Sequence, residues 1–122
     1  MSKNLNERSF EMKRGEIYLV DFGKENVGVE QSGVRPAVIV QNNIGNKYSP
    51  ATLICPLTSQ NKTPLPTHVQ LSTADGVAVP STVLCEQSRV IDKQRIVKKL
   101  GEIFNPSAIN DIDTKIKVAF GL

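Results

Sequence analysis

The sequence predicts a small, mostly antiparallel β-barrel or strongly curled sheet with one α-helix at its carboxyl end. Short apolar runs rich in β-branched residues, each of strand length, recur from Gly15 onward and are bounded by Gly, Pro, Asn or Ser. The hydrophobic spacing changes to that of a helix only after Asn105. At 122 residues the chain is the size of one ordinary domain and can bury a core without disulfides or metal. Residues 1–12 are expected to form a flexible tail, and residues 13–122 the single domain.

Gly15 to Phe22 is the first strand, with Ile17, Tyr18, Leu19 and Val20 at its centre. The interval from Gly23 to Val34 contains three glycines and reads as a mobile loop. Ala37 to Gln41 is the second strand, and Pro36 biases Arg35 just before it away from helical angles. Thr52 to Leu57 and Ser81 to Cys85 are further strands; His68 to Leu71 and Ile96 to Ile103 carry a weaker signal, for five or six in all. Asn105 can then cap a helix, Pro106 suits its first position, and Ile109, Ile112, Ile116 and Ala119 recur on one face before Gly121. That amphipathic helix is placed to cover an opening or an edge of the sheet.

Composition excludes several classes. Cys55 and Cys85 are too few for a disulfide framework, and with His68 as the single histidine there is no cluster spaced for zinc. No metal or cofactor is expected, and the two cysteines read as small buried strand residues. No apolar run approaches the roughly 18 residues of a membrane span. The first residues contain no apolar signal-peptide core, so the expected compartment is the reducing cytoplasm, away from membranes. Fifteen Lys and Arg against twelve Asp and Glu give a net charge of +3. Its distribution says more: from Gln31 to Ala74 there is no acidic residue, while Arg35, Lys47, Lys62 and His68 fall in that stretch. Such a stretch is either a solvated surface or a face for phosphate.

Taken in order, Arg14-Gly15-Glu16-Ile17-Tyr18, Glu30-Gln31-Ser32-Gly33-Val34-Arg35-Pro36, Gln41-Asn42, Ser49-Pro50, Pro56-Leu57-Thr58-Ser59-Gln60, Leu65-Pro66-Thr67-His68-Val69 and Cys85-Glu86-Gln87 resemble the MazF/PemK family of toxin endoribonucleases. Each motif is short, and the specificity lies in their order and spacing over roughly a hundred residues. The resemblance implies an SH3-like barrel, a homodimer, metal-independent cleavage of single-stranded RNA, and inhibition by a cognate antitoxin of a type II toxin-antitoxin system.

Arg35 and Thr58 match the family's catalytic arginine and threonine. A guanidinium directs two donors at adjacent phosphate oxygens, and a threonine hydroxyl adds a third hydrogen bond. A guanidinium is a poor general base near neutrality, so the electrostatic role is the better founded one. On local chemistry alone Arg35 is a solvated arginine at a strand end and Thr58 a turn hydroxyl; the family pattern assigns them more. Glu30, Gln31, Ser59, Gln60, Glu86 and Gln87 are candidate substrate-binding residues, since amides and hydroxyls read the edges of unstacked bases. The alternative reading of Glu86 is an ion pair with Arg89 or Arg35. His68 is expected to be structural, and Phe22, Tyr18 and Tyr48 divide between core packing and base stacking. The alternative function is a non-catalytic toxin of the same barrel class that binds a protein such as a topoisomerase, or a plain RNA-binding module.

Overall fold

The computed structural model describes residues 12–24, 28, 31–61 and 63–122. In chain order these form β1 (Glu16–Asp21), β2 (Val34–Ile39), α1 (Asn43–Tyr48), β3 (Ala51–Thr58), β4 (His68–Leu71), β5 (Ser81–Leu84), β6 (Arg89–Asp92), β7 (Ile96–Glu102) and α2 (Pro106–Phe120). Short 3-10 turns lie at Thr73–Asp75, Cys85–Gln87 and Lys93–Arg95. The strands pair antiparallel in the order β4-β5-β3-β2-β1-β7, with β6 also on β3. The path ends at β4 and β7 without closing, so the expected barrel is realised as a barrel-like, curled sheet.

Both faces of the central strands are buried, which explains why their sequences run apolar without clean alternation. Ile17, Val38, Cys55, Leu57, Val69, Leu71 and Val83 point to the face covered by α2, where they meet Ala108 and Ile112. Their neighbours Tyr18, Val20, Ala37, Ile39 and Ile54 turn to the other face and pack with Met12, Phe22 and Ile91. Met12, the last residue of the expected tail, is only 3% exposed and packs in this core. The rest of the expected tail lies outside the described residues.

α2 begins as its sequence predicts. Asn105 accepts a hydrogen bond from the Ser107 N–H, Pro106 opens the helix, and Gly121 ends it in the left-handed conformation. The loop after β1 closes on itself at its base, where Phe22 N–H donates to the Gly33 carbonyl and Gly33 N–H to that of Gly23.

The pairing along β3 has one irregularity. Thr58 pairs with Thr82 and Ile54 with Arg89, so four steps along β3 correspond to seven along its partner. The three extra residues are the 3-10 turn Cys85–Gln87. The Leu53 carbonyl accepts from Val40 of the neighbouring chain segment, and backbone groups alternate along a strand, so Pro56 faces the β5–β6 side. Proline has no N–H to offer there, and the partner strand leaves the ladder at that point.

Candidate active site

The strand registers bring the two proposed catalytic residues to one face. Ala37 pairs with Pro56, and alternation along each strand puts Arg35 and Thr58, each two residues beyond that pair, on its face of the sheet. Thr58 pairs in turn with Thr82, and Thr82 with Gln70. One row across three strands therefore reads Thr58, Thr82, Gln70. On the same face Ala37 pairs with Pro56, and Leu84 with His68. All of these residues lie on the face opposite α2.

Arg35 is exposed, and its Nε donates to the Ser32 carbonyl at 3.1 Å. That bond orients the guanidinium and leaves its two terminal nitrogens without a protein partner among the described residues. Thr58 is 8% exposed, and its Oγ1 accepts from the Gln60 N–H at 3.2 Å. With a lone pair so occupied, the hydroxyl proton is the group left to donate outward. The pair can offer a phosphate two forked donors and one hydroxyl.

Two clefts flank this row. The larger, about 730 Å³, takes in Gln31, Glu86 and Gln87 from the expected site, together with Phe22, His68 and Arg89. The Arg89 guanidinium lies 5.5 Å from the centre of the Phe22 ring, a cation–π contact at one wall. The smaller, about 160 Å³, takes in Thr58, Ser59 and Gln60 with Gln70, Ser81 and Thr82. Glu30 lies outside the described residues.

Glu86 pairs with neither Arg89 nor Arg35. Its Oε2 is 3.1 Å from His68 Nε2, and its Oε1 accepts from the Thr67 hydroxyl at 3.0 Å. The Leu65 N–H donates to His68 Nδ1, which leaves the ring proton on Nε2, directed at Glu86. The His68 side chain is 5% exposed, and its ring forms part of the cleft wall. Cys55 and Cys85 are both buried free thiols. A hydrogen bond between the protonated Cys55 thiol and the Cys85 side chain, together with burial, pushes the Cys55 thiol well above its ordinary value and keeps it neutral. Among the described residues no group of three His, Cys, Asp or Glu side chains is placed to hold a metal ion.

Arg89, Gln70, Ser81 and Thr82 were not among the sequence's candidate binding residues. A signal for Gln70 existed in its two-residue spacing from His68, which puts both side chains on one face of a strand. For Arg89 the neighbouring Glu86-Gln87 was the cue.

Residues 13–120 match the family described as PemK-like, MazF-like toxin of type II toxin-antitoxin system. The chain is 37% identical over 113 residues to Endoribonuclease EndoA of Bacillus subtilis (strain 168), covering 91% of this chain and 96% of that protein. It is likewise 37% identical over 113 residues to Endoribonuclease MazF of Staphylococcus saprophyticus, covering 91% and 92%. A solved endoribonuclease in complex with its cognate antitoxin, from a mycobacterial species, superposes with a TM-score of 0.76 at 28% identity, covering 91% of this chain and 96% of that one. The chain is a toxin of the type II toxin-antitoxin class. It belongs to the PemK-like, MazF-like family.

Proposed function

We propose that this toxin is an endoribonuclease that cuts single-stranded RNA, mRNA included, at selected sequences and without a metal ion. The 2′-hydroxyl beside the scissile bond attacks phosphorus, the bond to the departing 5′-oxygen breaks, and the products carry a 2′,3′-cyclic phosphate and a 5′-hydroxyl. Arg35 and Thr58 stabilise the negative charge that builds on the phosphate oxygens as phosphorus becomes five-coordinate. What supports this reading is that both residues belong to one sheet face by the register of β2 with β3, with the Gln60 N–H on Thr58 Oγ1 leaving the hydroxyl proton available. Gln31, Glu86 and Gln87 on one side, and Ser59 and Gln60 on the other, hold the flanking nucleotides; Glu30 belongs with them by its place in the sequence motif.

The chain works in the cytoplasm as a homodimer and is silenced by a cognate antitoxin that covers the same face. The dimer reading is supported by an apolar groove of about 630 Å³ between β3, β6 and α2, where Leu53, Val90 and Phe120 are exposed. The test of the activity is incubation with a long RNA in excess chelator, followed by mapping of the cut ends. Cutting is expected, and a 2′-deoxy substitution at a mapped site is expected to abolish it there while leaving binding. Robust cutting of the deoxy substrate excludes the mechanism. Binding without cutting of either substrate returns the chain to the non-catalytic alternative.

A further inference from the structure

We infer that the smaller cleft is a subsite that reads the edge of one nucleobase, with Gln70 as donor, Ser81 as acceptor and Thr82 as the residue that positions Gln70. The inference rests on the endoribonuclease reading above and assigns residues beyond those of the matched motifs. Thr82 Oγ1 donates to Gln70 Oε1 at 3.0 Å. With its oxygen held, the amide presents its two N–H donors outward. Ser81 Oγ donates to the Val79 carbonyl at 2.8 Å, so its lone pairs are what it offers a ligand. A donor beside an acceptor is what the edge of an unstacked base requires.

Other ligands fit less well. No charged side chain lines this cleft among the described residues, so it has nothing with which to neutralise a phosphate. No aromatic ring lines it either, which favours reading by edge over stacking. Its volume of about 160 Å³ is below the roughly 300–1,000 Å³ of pockets that enclose a drug-sized ligand, and suits a fragment such as a base. Location adds a further reason. Gln70 stands two strands from Thr58 in the same row, about 10 Å along the sheet by strand spacing. One nucleotide can thus set its phosphate at Thr58 and turn its base toward Gln70.

The test uses the full chain and a randomised single-stranded RNA library, with cut ends sequenced under single-turnover conditions. Gln70→Leu removes the donors from an exposed position, and Thr82→Val removes the hydroxyl that fixes them at nearly constant volume. Both variants are expected to lower base preference about tenfold, the equivalent of one hydrogen bond, at one and the same position flanking the cut, with preference elsewhere retained. Should Thr82→Val fail to fold by circular dichroism, Gln70→Leu alone decides. Cutting by Gln70→Leu with the unaltered chain's profile at every position overturns the subsite and leaves the endoribonuclease reading intact. Failure of the unaltered chain to cut any member of the library overturns that reading, and the subsite with it.

Discussion

At Thr58 the proposed catalytic role leans on a backbone contact. Because the Gln60 N–H occupies a lone pair on Oγ1, the hydroxyl is biased toward donation before any ligand arrives. Thr58→Val is therefore expected to lower the single-turnover cleavage rate on the order of 100-fold, about 3 kcal/mol, the loss typical of one transition-state donor. Arg35→Lys keeps the charge but loses the fork, and is expected to bind RNA while cutting far more slowly. Near wild-type rates in a folded variant, measured at saturating protein, would remove that residue from catalysis. The identities of both residues were legible in the sequence through the family motifs. Their placement on one sheet face was not, because the register between β2 and β3 is set by pairing over distant parts of the chain. For the same reason the partner of Glu86 was missed. His68 is eighteen positions away, and only the pairing of β4 with β5 brings the two together.

Elements with a periodic apolar pattern were read correctly, and those held by polar contacts were not. α2 shows its cap, its first-position proline and its apolar stripe in one short segment. α1 has six residues, too few to display a period, and it rests on a buried polar cluster. Asn46, fully buried, accepts from the Thr52 hydroxyl at 2.8 Å and donates to the Gln41 carbonyl at 2.9 Å, while the Lys93 ammonium donates to its carbonyl. Burial holds Lys93 below its ordinary pKa. β6 was also missed: of its four residues only Ile91 is buried, and its strand character comes from pairing with β3. The 3-10 turn Thr73–Asp75 joins α2 through Asp75, which accepts from the Ser72 N–H at 2.9 Å and from Asn105 at 2.7 Å. These bonds, the Ser72 backbone bond foremost, hold the Asp75 carboxyl below its ordinary value of 3.8. A depressed folded-state pKa stabilises the fold above the unfolded value, and that contribution is lost as pH falls through the folded one. Asp75→Asn is thus expected to lower the urea midpoint at pH 7, and the gap to the unaltered chain is expected to narrow as pH falls below the ordinary carboxyl value of 3.8. A gap that stays constant down to pH 2 would show that the carboxylate's charge is not the stabilising feature.

For the whole molecule, the acid-free stretch from Gln31 to Ala74 becomes β2, α1, β3 and β4, so the sheet face bearing Arg35 and Thr58 is built mainly from chain without carboxylates. The size, the single domain and the mostly β architecture with a terminal helix were all legible from composition and pattern, whereas the seventh strand and the open ends of the sheet came from pairing alone. Light scattering at micromolar concentration is expected to give twice the 13.4 kDa mass of one chain. Leu53→Glu, which puts a charge in the apolar groove, is expected to shift the mass to one chain. A concentration-independent monomer for the unaltered protein would refute the homodimer. The excursion opposite Pro56 has a different kind of consequence. Excising Cys85, Glu86 and Gln87 would join β5 to β6 as one uninterrupted strand, with every remaining pair along β3 preserved. Of their three codons, the first encodes a residue of the buried core under α2, while the other two encode Glu86 and Gln87 in the wall of the larger cleft, so two positions can be varied there with the core residue kept.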